Sequence, residues 1–240
     1  MRFYKFFISI FLIFTMCFYI TTPVFSEETT YVWSPNNNSL NDSTNDNSSQ
    51  VKETNSEVDE SNSLSLESGS AILIEQTTGQ VLYSHNAHEQ LRPASVTKVM
   101  SILLIMEALD SNKISLTDSV PCSENAASMG GSQIWLDPRE TLTVDEMLKA
   151  ICVNSANDCV VAMSEFVAGS EEAFVQLMND KAKELGMNDT CFKNCHGLDE
   201  DGHVTSAYDI SLMSRELLVN HPTITNYTTI WTDTLRNRKI

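Results

Sequence analysis

The stretch "RPASVTKVMSILLIMEALD", residues 92–110, decides how this chain folds. A proline and a serine come first, and a lysine follows one helical turn after the serine. Between Val99 and Leu109 only Ser101 and Glu107 interrupt the apolar residues. Such a run predicts a helix from Ala94 to Asp110 that is buried on most of its sides. A lysine at its mouth is costly to bury unless it is paired or neutral. Ser95 and Lys98 stand at i and i+3 and share one helix face. The positive end of the helix dipole and the apolar surroundings both favour an uncharged amine. A neutral amine beside a hydroxyl can take its proton and leave a nucleophilic oxygen. The plainer alternative is a surface lysine whose stem lies on the helix while its charge stays in water. S-x-x-K on its own also occurs by chance in many proteins.

Composition narrows the rest. The chain has 240 residues, and acids outnumber bases 32 to 15, for a net charge of −17. A surface so acidic disfavours nucleic acid and anionic lipid as partners. Arg2 and Lys5 precede the apolar run Phe6–Ile20, and the small residues Val24 and Ser26 stand before Glu27. This layout predicts a secretory signal peptide over residues 1–26, with an uncleaved anchor as the alternative. It implies a protein exported across the cytoplasmic membrane to the extracellular, cell-wall face. Five cysteines follow the leader, Cys122, Cys152, Cys159, Cys191 and Cys195. An odd count does not suggest a disulfide framework, and we read them as small buried hydrophobes.

Residues 27–69 are rich in Ser, Asn, Thr, Asp and Glu, and they read as a disordered linker. The folded part runs over residues 70–240. "SAILIEQTTGQVLYSHN" predicts two strands with a turn at Thr77–Gly79. Thr143 and Glu146 form a capping box ahead of an amphipathic helix that stops near "NSAND". A second apolar helix covers Cys159–Val167. Ser170 caps a third, which Gly186 stops, and a fourth spans about Ser206–Asn220. The last stretch, "TNYTTIWTDTLRNRKI", alternates and reads as a strand or hairpin arm. Met100, Met106, Met147, Met163 and Met178 fall at core spacings.

Ser155-Ala156-Asn157 lies in the tight connection between two apolar helices. Asn157 or Asp158 could simply cap the second helix. Alternatively, a second serine could relay a proton, and the Asn157 amide could hold a substrate carbonyl and the lysine together. S-x-x-K followed some 60 residues later by S-x-N is far more specific than either motif alone. Cys191, Cys195, His196 and His203 lack the spacing of a standard zinc site, so no metal is expected. "DEDG" at 199–202 lacks the EF-hand ligand pattern and reads as a solvated turn. Trp135 in "GGSQIWL" is open between core and cleft wall.

The segments "RPASVTKVM", "GGSQIWL", "VNSANDCVVAMSE" and "HGLDEDGHVTSAYDISLMSREL" together resemble the serine D-alanyl-D-alanine carboxypeptidases. These are the low-molecular-mass penicillin-binding proteins, relatives of the serine β-lactamases. The resemblance runs from about Ser70 to Lys239. It implies an α/β fold of DD-peptidase type, with a helical cluster beside an antiparallel sheet. It implies Ser95 as acylated nucleophile, Lys98 as its proton acceptor, Ser155 as second active-site serine and Asn157 as substrate-orienting amide. The implied substrate is the peptidoglycan stem peptide ending in D-Ala-D-Ala, with β-lactam antibiotics as covalent inhibitors and no cofactor. The family's third motif, Lys-Thr-Gly, does not occur in this sequence, which ends at Ile240. The resemblance therefore leads us to expect a partial domain with its sheet incomplete at the C-terminus, and with no membrane anchor in this chain. Two alternatives stand beside the carboxypeptidase: an inactive or penicillin-binding-only remnant, and a β-lactamase. The β-lactamase ranks lower, since no glutamate after Asn157 sits where it would hold a deacylating water.

Overall fold

The computed structural model describes residues 66–236 and 238–240. The expected signal peptide, residues 1–26, and all but the last four residues of the expected linker lie outside the described residues. The first described element is an antiparallel hairpin of β1 (Ala71–Ile74) and β2 (Val81–His85). Its turn is organised by Glu75, whose carboxylate accepts the backbone N–H groups of Thr77 and Thr78 at 2.9 and 2.6 Å. Leu73, Val81 and Leu82 on this hairpin are exposed.

The expected helix at 94–110 forms in two parts. A 3-10 turn covers Ala94–Thr97, and α1 covers Lys98–Asp110. Ala94 takes a left-handed backbone, φ 47°, so regular α geometry starts only after Ser95 has been presented. After α1 come β3 (Ser119–Pro121), a one-turn α2 (Glu124–Ala127) and β4 (Thr141–Thr143), with β3 and β4 paired antiparallel. α3 (Val144–Asn154) begins at the expected capping box: Thr143 Oγ1 accepts from Glu146 N, and the Glu146 carboxylate accepts from Thr143 N at 2.8 Å.

α4 spans Asn157–Ala168, and α5 spans Glu171–Glu184 behind a Ser170 cap. α6 spans Ala207–Asn220 behind a Ser206 cap. The C-terminal stretch, expected as a strand or hairpin arm, starts helically and ends in a hairpin. A 3-10 turn at Pro222–Ile224 leads into a one-turn α7 (Thr225–Thr228), and only then comes a short hairpin of β5 (Thr234–Leu235) and β6 (Arg238–Lys239). Tyr227 drives the helical turn: it is buried, and its hydroxyl donates to Asp145 at 2.8 Å on the first turn of α3.

α1 is the central helix and packs against α4, α5 and α6. Its residues from Met100 to Met106 are all buried, which accounts for their apolar character on every face. The five methionines expected in the core are buried there with Phe174 and Phe192. The fold is thus the expected α/β mixture, with its antiparallel part divided among three two-stranded ladders. The β1–β2 hairpin lies against α6, where Arg215 donates to the carbonyls of Gln76 and Thr77 at 2.8 and 2.6 Å.

Candidate active site

The junction between the 3-10 turn and α1 brings Ser95 and Lys98 together. Ser95 is exposed, whereas Lys98 is 3% exposed. Lys98 Nζ lies 3.1 Å from Ser95 Oγ and donates to the His196 carbonyl at 2.8 Å. No carboxylate forms an ion pair with this amine among the described residues. Burial pushes its pKa from the ordinary 10.5 down to about 8, opposed by the nearby Cys195 thiol. An amine at that value is available unprotonated near neutral pH and can accept a hydroxyl proton.

The base of the pair is built by the loop carrying "NCHGL", residues 194–198. Ser101, at the end of the first turn of α1, donates to the Cys195 carbonyl at 2.6 Å, one turn beyond Lys98. Gly197 has φ 93°, and a Cβ placed on it would come within 1.9 Å of the Ala94 carbonyl oxygen. The loop backbone therefore presses directly on the turn that presents Ser95. The loop is held from inside, where Asn194 Oδ1 accepts from Gly197 N at 2.7 Å and His196 Nδ1 accepts from Leu198 N at 3.1 Å. The His203 tautomer is set by its partners. Nδ1 accepts from Lys193 N at 3.0 Å, so Nε2 carries the proton and donates to buried Thr97 at 2.7 Å. Burial lowers the pKa of both histidines, which favours these neutral forms.

Ser155 and Asn157 form the second side. Ser155 ends α3 in a left-handed conformation, φ 54°, and is partly exposed. Asn157 does not cap α4. Its N–H donates to Ser132 O at 2.7 Å, and its Nδ2 donates to Gly130 O at 2.7 Å. Its Oδ1 is buried and has no hydrogen-bond partner among the described residues. Gly131 admits this amide: at φ 77°, a Cβ there would lie 2.7 Å from Asn157 Nδ2 and 3.5 Å from Leu198 Cδ2. Asn157, Gly131 and Leu198 thus meet, and Leu198 continues into the loop that holds Lys98. No direct hydrogen bond joins Ser155 or Asn157 to Ser95 or Lys98 among the described residues.

Asp158, fully buried, fastens the "SQIWL" loop by accepting from the N–H groups of Ile134 and Leu136, at 3.2 and 3.0 Å, and from its neighbour Cys159. Arg236 reaches the same loop from the C-terminal hairpin, bonding the carbonyl of Ile134 and the Glu140 carboxylate. Trp135 is not core: it is 71% exposed at φ 62°. Cys195 faces Glu171, and the "DEDG" segment is an exposed turn in which Asp199 accepts from Arg92 at 3.1 Å and Glu200 accepts from Asn194. Residue patterns alone did not single out Gly197, and they offered Asp158 only as a possible helix cap, not as the anchor of the "SQIWL" loop. The only signal was the "HGL" run, whose glycine stands between two large residues.

A helical cluster with antiparallel ladders, and a serine beside a buried lysine on its central helix, is the architecture of the penicillin-binding DD-peptidases. The chain belongs to the D-alanyl-D-alanine carboxypeptidase family (peptidase S11), whose family model matches residues 53–240. A D-alanyl-D-alanine carboxypeptidase of Bacillus subtilis (strain 168), DacF, is 57% identical over 173 residues, covering 72% of this chain and 44% of that protein. The crystal structure of penicillin-binding protein 6B from Escherichia coli is similar with a TM-score of 0.69 at 32% identity, over 72% of this chain and 56% of that one. Penicillin-binding protein D2 from Listeria monocytogenes, in its ampicillin-bound form, is similar with a TM-score of 0.65 at 28% identity, over 74% of this chain and 72% of that one. The chain spans less than half the length of the curated relatives it matches.

Proposed function

We propose that residues 70–240 carry the acylation machinery of a serine-type D-Ala-D-Ala carboxypeptidase acting on peptidoglycan stem pentapeptides. One observation carries the reading: a buried lysine amine, pKa about 8, 3.1 Å from an exposed serine hydroxyl. Lys98 Nζ takes the Ser95 proton as Oγ attacks the carbonyl carbon of the penultimate D-Ala. The tetrahedral intermediate then collapses, and the C–N bond to the terminal D-Ala breaks. Its nitrogen takes a proton through Ser155, and water later cleaves the acyl-serine ester. A neutral amine has two N–H groups and one lone pair; donation to the His196 carbonyl leaves the lone pair free to face Ser95 Oγ. The Ser95 N–H lies in a first helical turn, where such groups lack intrahelical partners, and it serves as one oxyanion donor. Asn157 Nδ2 keeps one N–H for a substrate carbonyl, and its unpaired, buried Oδ1 is the acceptor left for the Lys98 amine.

By likeness to the ampicillin-bound relative, β-lactams acylate the same serine. The leader-like N-terminus supports action on the outer face of the cytoplasmic membrane. No helix of the described residues is long and apolar enough to cross a membrane. The test is covalent labelling by a fluorescent penicillin, with the adduct mapped by mass spectrometry. Label is expected on Ser95, and none is expected on a folded Ser95→Ala variant. An adduct on Ser155, or label persisting in Ser95→Ala, overturns the assignment.

A further inference from the structure

Against the loop segment that holds Lys98 stands a carboxylate that the proposed reaction does not use. Glu171 opens α5, and its side chain is 19% exposed. Its Oε1 lies 3.4 Å from Cys195 N, 3.3 Å from Cys195 Sγ and 3.5 Å from His196 Nε2. His196 Nδ1 accepts from Leu198 N, so the neutral ring carries its proton on Nε2, toward Glu171. One oxygen thus faces three donors from two consecutive residues. The carbonyls of those two residues are the ones that hold α1: Cys195 O accepts from Ser101, and His196 O accepts from Lys98.

We infer that Glu171 is a positioning residue for the serine–lysine pair. It gathers the Cys195–His196 segment so that the His196 carbonyl takes one Lys98 N–H and turns the amine lone pair toward Ser95. This rests on the acyl-serine reading above. The geometry explains why an acidic side chain points inward at a helix start where solvent is open to it. The neighbouring Glu172 occupies the same first turn without these contacts. The charged and titratable groups around the Lys98–His196 unit are Glu171 from α5, Cys195, and Glu200 and His203 from the loop. A loosened segment would let water reach the amine, so its pKa would climb back toward the ordinary lysine value.

The test uses the 240-residue chain and the rate of Ser95 acylation by a fluorescent penicillin between pH 6 and 10. Folding of every variant is checked by near-UV circular dichroism and melting temperature. Glu171→Gln keeps an acceptor oxygen at full reach and should acylate within threefold of wild type, with the same pH profile. Glu171→Asp keeps the charge favourable to the helix N-terminus but falls one methylene short. It and Glu171→Ala should lose tenfold or more, and their rise in rate should move to higher pH. Glu172→Gln should change neither. Wild-type acylation by Glu171→Asp would reduce the residue to a helix-end charge and overturn the proposal. So would a Glu171→Gln variant as slow as Glu171→Ala with an unmoved pH profile. A wild-type chain that takes no label overturns the acyl-serine reading and this proposal with it; a labelled wild type with an unchanged Glu171→Ala overturns this proposal alone.

Discussion

In the proposed reaction, Lys98 is where the chemistry is set. With its pKa near 8, about one molecule in ten holds the free amine at pH 7. Acylation should therefore rise about tenfold from pH 7 to above pH 9 and level off there. A flat profile across that range would exclude Lys98 as the base. The stability consequence has a definite sign. The folded value lies below the ordinary 10.5, so between about 8 and 10.5 the unfolded chain binds more protons at this residue. The cost of burying Lys98 is fully present below pH 8 and is relieved as pH rises toward 10.5. Lys98→Arg should lose at least a thousandfold in acylation, because a guanidinium stays charged and accepts no proton. Acylation of that variant at a near wild-type rate would remove the assigned role.

The elements show what residue patterns could and could not reveal. Helices behind Thr143, Ser170 and Ser206 were legible, because a cap and an apolar stripe are local signals that agree. The central helix was legible too, since a run buried on all sides needs no neighbour to be recognised. Its first turn was not. The left-handed Ala94 is shaped by the Gly197 loop, a contact about a hundred residues away that no local pattern records. In the C-terminal stretch the hairpin arm was legible and forms at 234–239, but the helical turn before it was not: Tyr227 finds Asp145 across the fold, and that contact outweighs the β-branched character of its neighbours. Gly197 offers the sharpest test at this scale. Gly197→Ala would place a methyl into the Ala94 carbonyl at a positive φ, so it should cost roughly 2 kcal/mol or more in urea unfolding and lose most penicillin labelling. Labelling within twofold of wild type would mean that the loop does not shape the serine turn.

Across the whole molecule, the five cysteines that follow the expected leader are all free, although such a leader would imply export into a setting that permits disulfides. Cys122, Cys159 and Cys195 are buried in the core. Burial pushes the Cys122 thiol up to about 11 and the half-buried Cys152 up to about 12, while Cys159 and Cys195 rise well above the ordinary range. Such thiols are inert packing groups. A colorimetric thiol reagent should therefore miss those three core cysteines in the native chain and reach all five in urea, with Cys17 as a sixth where residues 1–26 are retained, and dithiothreitol should leave the melting temperature unchanged. Rapid reaction of Cys122, Cys159 or Cys195 under native conditions would show a looser core. The β1–β2 hairpin makes the opposite contribution. It leaves Leu73, Val81 and Leu82 in solvent, and Leu73→Lys with Leu82→Thr should reduce light scattering at high concentration without altering penicillin labelling.

The Gly197–Ala94 contact also fixes when reactivity can arise. Until residues 194–198 dock on α1, Lys98 is an ordinary hydrated ammonium and Ser95 an ordinary alcohol, however much helix has already formed. Closing a loop of about a hundred residues is slow compared with winding a helix. A refolding chain should therefore regain its far-ultraviolet helix signal first and its capacity to take up penicillin in a later phase. A nascent chain, by the same reasoning, carries its proposed nucleophile unarmed.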